Sequence, residues 1–544
     1  MNVNANTELE RVESKKDEVY TTSADVEGNG AHKLDESYID HTTAFAGLTR
    51  LQAMRKFWRA CIFCMITAFG VIMDGYQTSL PGSVLANAGF IKQFGTVVNS
   101  STGKISVDAQ YISMWSGMAY LCQFLGNWAG GFIGDRFGRR YTLYALTVVF
   151  TGGIITEIVA RNYKDWLAAK MLMGLGQGLI QQGVLTYISE VAPTQLRGAL
   201  MSTYGWAYAL GQLFVAIALN TLNMTDPENY LKAIYSEFVF LGLWIIALPF
   251  LPETPWYYAR KEDEVSAKKT LSKLYKGVEG YDIDREYNAM LVEIQEEKQK
   301  SHSNSEVALK DIFMGSHLRR TFASVFALVM QNWSGSPIIF NYTTYFLQQA
   351  GLPEPFQASV IVYCILIFSL MVSFYGIERL GRRTLILSGG VACTVFNIAI
   401  ASLGFASHSG PVDNASLAFI CLWVLFYAAG FAGTGWTCAA EIATPRLRAK
   451  TTAFAASTNA ISGAIFNSTV PLMISATSRN WGVKTLYMFA ILGGIGTIIN
   501  FFLLPETKGR TFAELDELYD LKISPRKMKG HITTLEESGL KQHK

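Results

Sequence analysis

The chain repeats itself at about half its length, and that restricts its fold more than anything else in it. Gly134-Asp135-Arg136-Phe137-Gly138-Arg139-Arg140 returns as Glu378-Arg379-Leu380-Gly381-Arg382-Arg383. Ser189-Glu190 through Leu196-Arg197 returns as Ala440-Glu441 through Leu447-Arg448, and Pro252-Glu253-Thr254 returns as Pro505-Glu506-Thr507. The offsets between matched residues are 243, 251 and 253 in a chain of 544. Two related halves therefore have to fold in the same way.

The material between these motifs decides what the halves are made of. Apolar residues are 50% of the chain and charged residues only 16%, against about a quarter charged in a soluble protein. The charges collect in the first 60 residues, in 258–320, after 506 and in short turns. Between them run apolar stretches of about 20 residues or more, the length needed to cross a bilayer. We count twelve spans, at roughly 57–80, 110–133, 141–160, 165–188, 199–221, 232–251, 320–347, 355–377, 384–405, 416–438, 449–475 and 484–504. The expected layout is an N-terminal tail over 1–56, a six-helix domain over 57–251 and a central loop over 252–319. A second six-helix domain over 320–504 and a C-terminal tail over 505–544 complete it. The first 37 residues are polar and lack the apolar core of a signal peptide.

Arginine and lysine in the short connections set the orientation. Arg55, Lys56 and Arg59 flank span 1, and Arg136, Arg139 and Arg140 follow span 2. Arg379, Arg382 and Arg383 follow span 8, and Arg446, Arg448 and Lys450 follow span 10. Both tails and the central loop are thus expected on the cytoplasmic side. Glycosylation sequons at Asn99, Asn223 and Asn414 fall in the opposite connections. The seven cysteines lie in or beside apolar runs, and Cys61 and Cys64 lack the second pair a metal site needs.

The repeated motifs, with Pro252-Glu253-Thr254-Pro255-Trp256-Tyr257 and Pro505-Glu506-Thr507-Lys508-Gly509-Arg510, resemble those of the sugar porters of the major facilitator superfamily. The resemblance runs from about span 1 to Gly509. Asp74-Gly75-Tyr76-Gln77-Thr78, Gly211-Gln212-Leu213-Phe214 and Ser524-Pro525-Arg526-Lys527 resemble the fungal maltose (α-glucoside) permease branch. The resemblance implies an all-α membrane protein with the major facilitator fold, twelve transmembrane helices in two six-helix domains. It implies a plasma-membrane sugar transporter for maltose, other α-glucosides or hexoses, working by alternating access around a midplane site. Neither a cofactor nor a bound metal is implied, and neither an enzyme nor a nucleic-acid partner. A monomer with a small sugar, the bilayer and protons as its partners is expected.

Site residues follow from the same resemblance. In span 7, Gln331 and Asn332 stand at the family's paired amides, with Asn341 and Tyr342 further on, and Pro337 replaces the next sugar-binding amide. Trp436 stands at the sugar-stacking position of span 10. Gly205 replaces the glutamine of span 5. Asn459 and Asn467 in span 11 are further candidates. Gln177 and Gln181 in span 4 share a helix face and either line the cavity or bond a neighbouring helix. For each of these polar residues the alternative is a bond between helices.

Two groups are expected to switch. Asp135 or Glu190 with Arg139 or Arg197, and Glu378, Arg382, Glu441 and Arg448 in the second half, would clamp the halves when the cavity faces outward and release when it faces inward. Each partly exposed pair is worth about 1 kcal/mol or less. Asp74 is an acid inside a span, a functional group by default. Gln77 holds the position where proton-coupled relatives carry an aspartate, and Lys170 the position of their arginine. An Asp74–Lys170 pair is then either a proton switch or a fixed strut in a uniporter. Glu157 and Glu237, near the outer ends of spans 3 and 6, are given no role. The rivals to a sugar are a polyol or another metabolite on the same fold, and a non-transporting sugar sensor.

Overall fold

The computed structural model describes residues 50–98, 105–193, 195–303, 309–406, 410–444, 447–475, 478–510 and 512–533. The chain divides after Gln52, and the second unit, Ala53–Lys544, holds the whole helical bundle. Twelve long helical rods fill it among the described residues. Spans 1 to 6 are Trp58–Val84, Ala109–Phe137, Arg139–Val159, Tyr163–Val191, Arg197–Thr225 and Leu231–Phe250. Span 7 runs in pieces from Gly315 to Gln349, and spans 8 and 9 are Pro355–Leu380 and Arg382–Leu403. Spans 10 to 12 are Gly410–Ile442, Arg448–Ile474 and Gly482–Leu503.

Eight of these rods are long and apolar enough to cross a membrane. The other four are spans 2, 4, 7 and 11. They carry most of the amides and hydroxyls that line the space between the halves, with Gln77 and Thr78 of span 1 and Tyr208 of span 5 added to them.

Local sequence sets the ends. Asn162 and Asp165 form a reciprocal cap on span 4, and the Asp108 carboxylate accepts from Gln110 N at 2.9 Å to start span 2. Where rods cross, glycine lets backbones touch. A Cβ on Gly75 would lie 1.9 Å from the Tyr208 carbonyl and one on Gly211 would lie 2.1 Å from the Ile72 carbonyl, which fixes the crossing of spans 1 and 5.

Span 7, expected as one helix, is broken. Gly315–Trp333 ends at Ser334, a wide π turn follows over Pro337–Asn341, and helix resumes over Thr343–Gln349. Pro337 has no N–H to donate and Gly335 takes φ +107. The Asn397 side chain in span 9 donates to the freed Ser334 carbonyl at 2.7 Å. Span 10 is broken likewise by a π turn at Ala428–Ala432. Between spans 6 and 7 lie the helices Pro255–Arg260, Glu264–Leu274 and Ile283–Ser303, packed around Leu271, Tyr287 and Ile294. This segment marks one end of the bundle, here the connector end. Asn223 sits in the last turn of span 5 and Asn414 in the first turn of span 10, both exposed, rather than in free loops. Asn99 lies outside the described residues, as do the tails up to residue 49 and beyond 533.

Candidate functional site

The three repeated motifs meet at one place in each half. In the first half the Glu253 carboxylate accepts from the backbone N–H groups of Arg139 and Arg140, each at 2.9 Å, and so caps span 3. The Arg139 side chain reaches Asp135 at 2.7 Å and Glu190 at 2.9 Å. Thr254 Oγ1 donates to Glu190 at 2.6 Å, and Arg260 pairs with it at 3.1 Å. In the second half Glu506 accepts from Arg382 N at 2.9 Å, Arg382 pairs with Glu441 at 3.0 Å, and Thr507 donates to Glu441 at 2.5 Å. Gly138 at φ +114 and Gly381 at φ +89 make the turns, and a Cβ on either would strike the capping glutamate.

These pairs differ from the expected clamp. Each joins elements of one half, because arginine, capping glutamate and paired acid all come from the same six-helix unit. Among the described residues Arg197 Nε has no hydrogen-bond partner. Of Glu378 and Arg448 only the helical backbone is described.

The halves meet at the end opposite the connector. Ser79 Oγ donates to the Phe340 carbonyl, and Thr344 Oγ1 donates to Ser83 Oγ at 3.1 Å. The Asn341 amide donates to Tyr120 Oη at 2.9 Å, and the Tyr342 and Ser116 hydroxyls lie 2.6 Å apart. A Cβ on Gly82 would come within 1.9 Å of the Asn341 carbonyl. The broken part of span 7 thus lies flat against span 1.

Below this seam is a cavity of about 780 Å³, part of it open to solvent. Gln77, Gln123, Gln177, Asn341 and Asn467 line it with amides, and Trp115, Trp166, Tyr120, Tyr208 and Tyr342 with rings. Of the expected substrate ligands it gathers Gln177, Asn341, Tyr342 and Asn467. The others face different tasks. Gln331 donates to the Phe431 carbonyl at 3.1 Å, and Asn332 donates to Asn459 Oδ1 at 2.8 Å. Gln181 donates to Asp74, and Trp436 is 50% exposed away from this cavity.

The Asp74–Lys170 pair is not formed. The fully buried Asp74 carboxylate accepts from Tyr204 Oη at 2.8 Å, Gln177 at 3.0 Å and Gln181 at 3.4 Å, all neutral donors. Lys170 Nζ pairs with Glu157 at 2.5 Å and donates to Gln77 Oε1 at 3.2 Å. The Gln77 amide nitrogen in turn donates to Glu157 at 3.0 Å and to Glu237 at 2.8 Å. Lys170 also lies 4.8 Å from the centre of the Trp166 ring. The reason is helix geometry. Spans 1 and 4 run antiparallel, so Gln177 falls beside Asp74, and Lys170, seven residues away, is displaced by roughly 10 Å. Glu157 lies in the last turn of span 3 and Glu237 in the second turn of span 6, near the outer ends as expected, yet their side chains are only 0% and 1% exposed because they face the interior of the bundle. Being acids inside apolar spans was the signal that could have found them.

A family profile described as "Sugar (and other) transporter" matches residues 63–519. The chain belongs to the sugar transporter family. It is 29% identical over 478 residues to the major facilitator-type transporter ecdD of Aspergillus rugulosus, covering 85% of this chain and 88% of that one. It is 28% identical over 507 residues to the general alpha-glucoside permease of Saccharomyces cerevisiae, covering 91% and 81%. The inward-open xylose transporter XylE of Escherichia coli superposes with a TM-score of 0.66 at 19% identity, covering 84% of this chain and 98% of that one. Membership makes the chain a multi-pass membrane transporter of the major facilitator fold, and a carrier rather than an enzyme. The likeness to an alpha-glucoside permease accords with the branch named from Asp74-Gly75-Tyr76-Gln77-Thr78.

Proposed function

We propose that this sugar transporter carries a neutral polyhydroxyl solute, a maltose-like glycoside or a hexose, into the cell by alternating access, and that a proton moves with it. The observation that carries the reading is the cavity between the halves. Its walls offer the amides of Gln123, Gln177 and Asn341 for hydroxyls and indole and phenol rings for sugar faces, while the Gln77 amide is taken up by Lys170, Glu157 and Glu237. Both halves contribute, so a bound solute is exposed to one side or the other as the halves rock. The protein works as a monomer in the plasma membrane with both termini and the connector in the cytoplasm.

Coupling is assigned to the buried cluster. Glu157, Glu237 and Lys170 bring two carboxylates and one ammonium together out of water, where an uncompensated charge is costly. One proton balances the cluster. Lys170 holds Glu157, which leaves Glu237 with the Gln77 amide and makes it the proton carrier. Asp74, held by neutral donors beside Gln177, orients the cavity wall.

The test is uptake of labelled maltose and glucose in yeast lacking its own sugar transporters, with external alkalinisation recorded. Sugar should enter with alkalinisation in the wild type. Glu237→Gln should still carry sugar downhill but not accumulate it, and Asp74→Asn should raise KM while remaining coupled. Uptake without alkalinisation overturns the coupling, and uptake of neither sugar overturns the substrate.

A further inference from the structure

The Ser524-Pro525-Arg526-Lys527 motif has no place in the transport cycle described above. It belongs to a stretch with an unusual charge pattern. Between Asp520 and Glu536 the chain has no acid, yet it carries Lys522, Arg526, Lys527, Lys529 and His531. Such a run would ordinarily be a loose tail. Here it is fastened down. The Arg510 guanidinium donates to the carbonyls of Met528, Lys529 and His531, at 3.3, 3.4 and 2.7 Å. Met528 is 1% exposed, and Thr533 is buried as well. The preceding helix, Phe512–Asp520, is tied to span 7 by the buried Arg320, which pairs with Asp516 and stacks over Tyr519.

Fastening places the cations at the rim of the bundle. The Arg526 guanidinium lies 5.5 Å from the centre of the Phe501 ring and 5.0 Å from that of Phe502. Both rings are in the last turn of span 12, 44% and 52% exposed on the outer surface, where lipid would lie. Arg383 approaches Phe501 as well, at 5.5 Å, but spends its donors on the Leu504 and Phe501 carbonyls at the end of the helix. Among the described residues Arg526 makes no ion pair. Its guanidinium, with five donors and a ring beneath it, therefore faces outward beside the exposed Lys527 and Lys529. Exposed phenylalanine rings in the last turn of a span, with a guanidinium over them and two exposed ammonium groups close by in the chain, match a phospholipid: chains against the rings, phosphate against the cations.

We propose that Arg526, held over Phe501 and Phe502, and the exposed Lys527 and Lys529 next to it in the chain form a binding site for the phosphorylated headgroup of an anionic lipid in the leaflet at the connector end. The site is separate from the sugar cavity, and it holds whether or not the transport reading does. The occupant is a lipid rather than free phosphate because the rings supply contact only to a molecule with acyl chains.

The experiment uses the purified full-length protein in detergent, titrated with dioctanoyl phosphatidylinositol 4-phosphate and followed by thermophoresis. Dioctanoyl phosphatidylcholine and inorganic phosphate serve as comparison probes. The triple variant Arg526→Ala/Lys527→Ala/Lys529→Ala should lose about tenfold or more in affinity for the anionic lipid. Removing three exposed lysines of the connector, by Lys261→Ala/Lys269→Ala/Lys276→Ala, should leave it unchanged. Phosphatidylcholine should bind far more weakly than the anionic lipid, and millimolar phosphate should not displace it. If the triple variant does not fold, Lys527→Ala/Lys529→Ala should show a smaller loss in the same direction. Equal binding by wild type and the foldable variant, equal binding of phosphatidylcholine, or displacement by inorganic phosphate overturns the proposal.

Discussion

Lys170 Nζ lies 2.5 Å from a carboxylate oxygen of Glu157, and the two side chains are 4% and 0% exposed. An ion pair so placed has given up its water on both sides. Removing one partner leaves the other charged in a medium that cannot solvate it, at a cost of about 3–5 kcal/mol. Lys170→Met alone, which strips Glu157 and Glu237 of their one cation, should therefore lower the melting temperature of the purified protein sharply. Glu157→Leu with Lys170→Met should recover most of that loss, since the pair is replaced by apolar groups of similar volume. A double variant no more stable than the single would show that the pair is not the unit that matters.

Gly138 and Gly381 serve the same task in the two halves. Each sits at positive φ, and each has the capping glutamate where a Cβ would be. Gly138→Ala adds backbone strain of about 1–3 kcal/mol and pushes Glu253 off the start of span 3. Gly198, with open space around it, is the comparison. Folded yield and melting temperature should fall for Gly138→Ala and Gly381→Ala and hold for Gly198→Ala.

Burial pushes the Glu253 carboxyl above the ordinary glutamate range and nearby Glu190 adds to this, while the N–H donors of Thr254, Arg140 and Arg139 pull the other way. The folded protein therefore holds this proton to a higher pH than the unfolded chain does. The contribution to stability is fully present below the unfolded pKa and is lost as pH rises through the folded one. Melting temperature measured from pH 4 upward should fall for the wild type relative to Glu253→Gln, which cannot titrate. A pH-independent gap between the two proteins would refute the shift.

The sequence carried the architecture because the architecture is repetitive. Twelve apolar stretches and three duplicated motifs are patterns along the chain, and they announce two six-helix halves directly. The motifs pointed to Arg139 and Glu190, which do pair, but within one half rather than across the two, and Glu253, which had no assigned role, caps span 3 beside them. What stayed hidden depends on register between helices far apart in sequence. Asp74 and Lys170 looked like partners because Asp74 is an acid inside span 1 and Lys170 stands at the position of the relatives' arginine. Only the antiparallel crossing of spans 1 and 4 shows that Lys170 reaches Gln77 and Glu157 instead. Asn332 likewise looked like a sugar ligand by position, while its amide is turned to Asn459 on span 11. A span reads as a rod in sequence, so the break at Ser334 that lays Asn341 against Tyr120 was legible only in Pro337.

The seam that this break builds has to open if the cavity serves both sides of the membrane. Thr344 Oγ1 and Ser83 Oγ are 3.1 Å apart across it, close enough for the two positions to be joined by a disulfide. In a background with the seven native cysteines replaced by serine, Ser83→Cys with Thr344→Cys should crosslink under mild oxidation. Uptake should then fall to about a tenth or less, since the far side can no longer part, and a reductant should restore it. Either single cysteine should transport normally with or without oxidant. If the crosslink forms and uptake continues, spans 1 and 7 do not separate during the cycle. The solute would then have to leave by a route that avoids the seam between Ser83 and Thr344.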